Sequence, residues 1–319
     1  MWILLCVVVV VVLSVMLLVV FSRADGDFSL MMKGRTPQSV IEDKVVWITG
    51  ASQGLGEALA KEYARLGAKL ILSARRESEL ERIKSQLTGK NAPEGVVVLP
   101  LDVASEVSIL KEAVVKVESA FMGAGIDIMV HNAAYSRPKH TAVEIPEEEL
   151  KGTFEVNTLA PIRLTSLLLP GMLQRGKGQF VMVSSAAGKV PSPCQSVYAA
   201  SKHAVNGYFH TLRSEVNQQG IKVCVVCPGP IETSTSKAPR SKEPRMSVEK
   251  CAELIVKAAA NDMREVWIST QPVLLMLYLM QYFPELGLAV MDRVGPKRVK
   301  AYKEGASGYS SNLFFKKDT

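Results

Sequence analysis

The chain has 319 residues, 38 Lys and Arg against 31 Asp and Glu for a formal net charge of +7, and five cysteines. With 48% apolar and 22% charged side chains, it is not a charge-rich disordered chain, a collagen-like repeat or a disulfide-stapled miniprotein. The length accommodates one large domain or two small ones.

Residues 1–22 are apolar at every position except Ser14 and Ser22, and they account for the positive mean hydropathy of +0.15. Without them about 45% of the chain is apolar, an ordinary globular value. A helix of this length spans about 33 Å, enough for a bilayer's hydrocarbon core. Residues 1–22 are therefore expected to be a transmembrane anchor. A cleaved signal peptide is the alternative; the missing basic leader, the long apolar run and the lack of a small-residue cleavage pattern count against it. Arg23, Lys33 and Arg35 follow the span and no basic side chain precedes it, which by the positive-inside rule keeps the main domain cytosolic. The chain ends in Lys316-Lys317-Asp318-Thr319, similar to a dilysine signal for retrieval to the endoplasmic reticulum. A single-pass protein of that membrane is expected.

A polar linker, residues 23–42, leads into a domain at 43–270. There, strand-like runs at Val45–Thr49, Leu70–Ser73, Val96–Leu101, Ile128–His131, Phe180–Ser184, Lys222–Cys227 and Glu265–Ser269 alternate with helical patterns such as Glu57–Leu66 and Ser105–Phe121. Short runs that are apolar on both faces and separated by helices predict an α/β fold. The expected form is a Rossmann-type, doubly wound, seven-stranded parallel sheet. Cys224 and Cys227 mimic a C-x-x-C motif, but residues three apart on a strand point to opposite faces, so core packing is expected. His131, His140, His203 and His210 lack metal-ligand spacing, and no metal site is expected.

After the first strand the chain reads Thr49-Gly50-Ala51-Ser52-Gln53-Gly54-Leu55-Gly56 and enters a helix. Glycines there let the backbone turn tightly against a pyrophosphate, which the helix N-terminus attracts. At the end of the second strand, where an NAD enzyme places a carboxylate, stand Arg75 and Arg76. Two guanidiniums favour a ribose 2′-phosphate, hence NADP(H). The alternative is that both begin a solvated helix face with Glu77 and Glu79. Tyr198 and Lys202 are spaced i, i+4 and share one helix face; a nearby ammonium makes a phenol a usable acid or base. Ser184-Ser185 closes the fifth strand at the edge where open α/β sheets bind ligands.

In this order these residues resemble the short-chain dehydrogenase/reductase family over about residues 42–270. The matching positions are the glycine turn, Asp102, Asn132-Ala133, Asn157, Ser185, Tyr198, Lys202 and Pro228-Gly229. The resemblance implies that Tyr198 is the acid/base and that Lys202 lowers its pKa and holds the nicotinamide ribose. It further implies that Ser185 orients a carbonyl and Asn157 positions a water. Gly50, Ser52, Gln53, Gly54, Leu55, Gly56, Arg75, Arg76, Asp102, Asn132, Pro228, Gly229 and Thr233 would join Tyr198 and Lys202 around the cofactor, with Asp102 at the adenine and Thr233 at the carboxamide. Ala134 stands where the family has Gly. Within the family, Arg23–Asp27, Ser73–Arg76, Asn261-Asp262, Glu265–Ser269 and the extension from Gln271 to Tyr282 are similar to the membrane-anchored dehydrogenase/reductase member 7 group. That group implies a steroid- or retinoid-like carbonyl.

Residues 271–319 form a C-terminal extension with an apolar segment, Val273–Phe283, too short to span a bilayer. It is read as a pocket lid or homodimer contact, or as an interfacial segment at a membrane. Arg293, Lys297, Arg298, Lys300, Lys303, Lys316 and Lys317 then form a basic tail, suited to an anionic leaflet rather than to nucleic acid. The expected activity is NADP(H)-dependent interconversion of a lipophilic ketone or aldehyde and its alcohol. A 3-ketosphinganine-type lipid reductase and a catalytically idle dinucleotide-binding scaffold are the alternatives.

Overall fold

β-Branched and apolar runs become strands where both faces are covered. In the computed structural model, β1 (Val45–Thr49) is buried at every position. The structure describes residues 2–34, 38–135, 139–232 and 245–304, without the side chains of residues 3–5. Helix α1 (Trp2–Ser22) and the single turns α2 (Phe28–Met31) and α3 (Gln38–Ile41) precede β1. The chain continues through α4 (Gly54–Arg65), β2 (Lys69–Ser73), α5 (Glu77–Gln86), β3 (Val96–Val98), α6 (Val107–Gly123) and β4 (Ile128–His131). Then come α7 (Glu147–Phe154), a π-helical turn (Glu155–Leu159), α8 (Ala160–Arg175), β5 (Gly178–Val183), α9 (Ser196–Val216) and β6 (Ile221–Pro228). The last elements are α10 (Val248–Ala260), β7 (Glu265–Ile268), α11 (Val273–Tyr282) and α12 (Pro284–Lys303).

The seven strands form one sheet in the order β3-β2-β1-β4-β5-β6-β7, and every pairing is parallel. This is the doubly wound Rossmann-type sheet expected from the alternation. Successive β1 side chains divide between its faces. Val46 and Ile48 pack with Leu59 and Tyr63 of α4 and Ile255 of α10; Val45 and Trp47 pack with Leu110 of α6, Leu164 of α8 and Phe209 of α9. Cys224 and Cys227 likewise belong to opposite faces. Burial pushes both thiols up, Cys227 to about 12, which keeps them protonated core residues.

Several element boundaries differ from the sequence pattern, among them those of β3 and α6. The regular β3 ladder ends at Val98 rather than Leu101, although Leu99 and Leu101 still donate to the Leu72 and Ala74 carbonyls. Helix α6 loses helical backbone at Ala120–Met122, because apolar periodicity does not register a local turn.

The ends of the chain carry more structure than a linker and a tail. Leu30 is fully buried, and Asp27 bonds to β7, so part of the segment 23–42 is docked on the sheet edge. In α1, the described side chains are exposed up to Val20. Its contiguous fully described stretch, residues 6–22, is about 25 Å of helix. Among the described residues no helix is long and apolar enough to cross a membrane. At the other end, α12 turns Met291, Val294, Arg298 and Ala301 inward. Arg298 is therefore not one of the solvated cations expected of a basic tail; Lys316 and Lys317 lie outside the described residues.

Candidate active site

The sheet order reverses between β1 and β4, and open α/β sheets bind ligands at the carboxyl ends of the strands beside such a reversal. The glycine turn follows β1 at that edge. Gly50 has φ +66°, and a Cβ there would stand 2.7 Å from Ala133 Cα. A Cβ on Gly56 would stand 2.1 Å from the Gly50 carbonyl, so no larger residue fits either position. Asn132 clamps the turn: its Nδ2 donates to the Thr49 and Gly50 carbonyls at 3.0 and 3.2 Å, and its N–H donates to Thr49 Oγ1. Gln53 begins α4 without a side-chain cap bond, as suits a helix N-terminus whose N–H groups serve an anion. Ser52 is buried, and Leu55 packs on the core. The turn fits the pyrophosphate of a nicotinamide dinucleotide.

Arg75 and Arg76 are both exposed beyond β2. Arg76 donates to Gln53 Oε1 at 2.8 Å, bridging the β2 end to the glycine turn. Neither is engaged as part of the helix face with Glu77 and Glu79 in the ion pairs of α5, which join Arg82 to Glu57 and Glu79. Asp102 is exposed, and its Oδ1 accepts the Ala104 N–H. Ala134 is exposed with negative φ, so its backbone does not require the glycine found in the family. Thr233 lies outside the described residues.

The polar residues of the second half converge around α9. Ser185 Oγ accepts the Ala187 N–H at 3.1 Å, which orients the hydroxyl and leaves its proton for donation. Tyr198 and Lys202 are each 2% exposed, and Lys202 Nζ donates to the Val183 carbonyl at 2.9 Å. That carbonyl at the end of β5 holds the ammonium 5.8 Å from the Tyr198 ring centroid. Asn157 occupies the π-helical turn between α7 and α8. Its Oδ1 accepts the Tyr135 N–H and its Nδ2 donates to Ser201 Oγ; the side chain is thus spent on positioning.

Ser201 is a positioning residue that motif reading passes over. It donates to the Tyr198 carbonyl at 2.7 Å while receiving Asn157 Nδ2, which ties the π-turn to the Tyr198 helix. The available signal was a small polar residue directly before Lys202. His131, by contrast, is buried against Phe180, hydrogen-bonds Thr165 and is held near pKa 3 by burial; it is a neutral core residue.

Ser185, Tyr198, Pro228 and Gly229 line a single cleft, whose empty volume including the open mouth is about 720 Å³. Val273 and Met276 of α11 and Met291 of α12 complete its wall. The apolar segment after β7 is thus a wall of the pocket.

A sequence model described as short chain dehydrogenase matches residues 44–244. Dehydrogenase/reductase SDR family member 7 of Homo sapiens is 37% identical over 309 residues, covering 91% of this chain and 90% of that protein. The Mus musculus counterpart is 36% identical over 92% of this chain and 90% of its own length. Among solved structures, a short-chain dehydrogenase from Streptomyces avermitilis superposes with TM-score 0.67 at 25% identity, covering 80% of this chain and 97% of that one. A metagenomic short-chain oxidoreductase in complex with NADP shares the fold with TM-score 0.62 at 23% identity, covering 73% and 99%. The chain belongs to the short-chain dehydrogenase family, oxidoreductases that act on CH–OH groups with a nicotinamide dinucleotide.

Proposed function

We propose that this chain is a membrane-anchored, NADP(H)-dependent oxidoreductase that interconverts a lipophilic ketone or aldehyde and its alcohol. The observation that carries the reading is one cleft containing both Ser185 and Tyr198, with Lys202 fastened behind the tyrosine and apolar walls around them. A bound nicotinamide supplies the hydride in reduction and takes it in oxidation.

Ser185 donates a hydrogen bond to the substrate oxygen, keeps its own proton and fixes the carbonyl in the cleft. Tyr198 gives its phenolic proton to that oxygen during reduction and accepts it back during oxidation. Lys202 stabilises the phenolate by its charge, so the proton moves near neutral pH. Asn157 and Ser201 hold Tyr198 and its helix in place. Gly50, Gly54 and Gly56 admit the pyrophosphate, while Arg75 and Arg76 receive a 2′-phosphate by charge-assisted hydrogen bonds. Asp102, Asn132, Pro228 and Gly229 complete the cofactor surface, and Thr233 is assigned to the cofactor from the family resemblance alone.

Membrane anchoring is supported by the uncharged helix Trp2–Ser22 and by how its end is fastened to the domain. Phe21 packs edge-on against Tyr278, and Gln271 Nε2 donates to the Phe21 carbonyl. Outward-facing Leu275, Tyr282, Phe283, Leu286 and Leu288 on the same helical hairpin add apolar surface beside α1, so lipophilic molecules would enter from the bilayer. The flanking charges suit a cytosolic domain, and the terminal Lys316-Lys317 pair suits the endoplasmic reticulum membrane.

NADPH consumption by detergent-solubilised protein over steroid, retinoid and sphingoid ketones tests the activity. Tyr198→Phe should lower kcat by about 10²–10⁴ and leave NADPH affinity nearly unchanged; undiminished turnover would refute the role given to Tyr198.

A further inference from the structure

The buried stripe of α12 reads Gly287, Met291, Val294, Arg298, Ala301, a helix face that packs inward at every position. A guanidinium in such a stripe is costly, because removing a cation from water is recovered only through charge-complementary contacts. Arg298 is nevertheless 6% exposed, whereas its helix neighbours Arg293 and Lys300 are exposed. It lines the same cleft as Ser185 and Tyr198, and so does Arg245 from the segment before α10. Among the described lining residues there is no Asp or Glu. The remaining walls are apolar or neutral: Val190, Val273, Met276 and Met291 among them.

Both arginines also interact with other groups of the protein. Each guanidinium carries its charge over five N–H donors in a fixed fork, so an arginine held by other groups of the protein still presents a cation to the cleft it lines. An otherwise apolar pocket with two cations in its lining is complementary to an amphiphile carrying an anion, and a planar fork matches a carboxylate in bidentate fashion.

We infer that Arg298, assisted by Arg245, is a specificity residue, and that the substrate is a lipophilic oxo-acid whose carboxylate these arginines bind while its carbonyl meets Ser185 and Tyr198. This rests on the oxidoreductase reading of the same cleft and narrows its substrate class. A neutral ketone of equal size leaves the guanidiniums desolvated without a partner from the ligand, and is discriminated against for that reason.

The test uses the full-length protein in detergent with two matched probes, an oxo fatty acid and its methyl ester. Wild-type kcat/KM should favour the acid by about tenfold or more, and Arg298→Gln should remove most of that preference, chiefly by lowering the acid's value. A wild-type ratio near one, or a ratio unaltered in Arg298→Gln, overturns the proposal. Because a folding defect in Arg298→Gln would confuse the second comparison, Arg245→Gln is measured beside it and should reduce the preference in the same direction. A binding arm separates this inference from the reading it rests on. If neither probe is reduced, the oxo-acid substrate class is overturned, and thermal stabilisation by palmitate over methyl palmitate, lost in Arg298→Gln, then supports a carboxylate site alone. Equal stabilisation by the two overturns it.

Discussion

Asp27 and Trp267, 240 residues apart, exchange two hydrogen bonds across the edge of the sheet. The Asp27 N–H donates to the Trp267 carbonyl at 2.8 Å, and the Trp267 N–H donates to Asp27 Oδ2 at 2.6 Å. β7 is an edge strand, and such an edge invites pairing with another chain unless it is covered. Asp27 occupies it with a side chain and a peptide group at once, and its Oδ1 caps α2 through the Leu30 N–H. The apolar helix is thereby tied to the body of the enzyme within five residues of its end.

Asp27→Ala removes the acceptor for two buried N–H groups and should destabilise the domain by about 1–3 kcal/mol. The check is a denaturant melt together with limited proteolysis. Cleavage should rise at residues 23–31 before the sheet unfolds; unchanged protection would mean that the Leu30 packing alone holds the segment.

Glu265 sits where three donors meet: His210 Nε2 at 2.6 Å, Lys189 Nζ at 2.8 Å and Trp267 Nε1 at 2.7 Å. Burial pushes its carboxyl up, but the hydrogen bonds from His210, Lys189 and Trp267 outweigh burial and hold it at about 2. The folded protein therefore takes up this proton at a lower pH than the unfolded chain does. The stabilisation is fully present above the unfolded value near 4.5 and is lost as pH falls toward 2. Glu265→Gln should cost about 2–3 kcal/mol at pH 7. The gap between variant and wild type should narrow across that acidic window in urea melts taken at a series of pH values. A gap independent of pH would show that shape, not charge, is what Glu265 supplies.

Arg75 and Arg76 make a cofactor prediction. Arg75→Ala should weaken NADPH binding by about tenfold and leave NADH binding nearly unchanged, as expected for losing one charge-assisted contact to a phosphate. Arg76→Ala also releases Gln53 at the start of α4, so it should weaken both cofactors, NADPH more. Fluorescence titration with the two dinucleotides reads the difference. Wild-type protein that binds both equally would remove the basis of the NADP(H) assignment.

Much of the architecture was legible in local pattern. Strand cores such as Val45–Thr49 and Ile128–His131 coincide with their predicted runs, because a strand buried on both faces must be continuously apolar. The glycine turn was legible as well, since Gly50 and Gly56 sit where a Cβ collides with backbone. Local pattern did not reveal Ser201 or Glu265. Their roles depend on partners in other elements: Asn157 for one, Lys189 and His210 for the other.

Length, composition and charge set the limits at the outset: a mildly apolar, mildly basic chain with room for one large domain or two small ones. From sequence alone came the sheet, the order of the motifs and the roles expected of Tyr198, Lys202 and Ser185. Only the tertiary structure decided what the two ends do. Residues that composition reads as linker are pinned to β7 by Asp27, the apolar segment after β7 becomes a pocket wall, and one cation of an apparently solvated tail, Arg298, turns inward. The physical reason is that periodicity records which face of an element is apolar. Which charged side chain that face carries into a cleft is set by packing against elements distant in sequence.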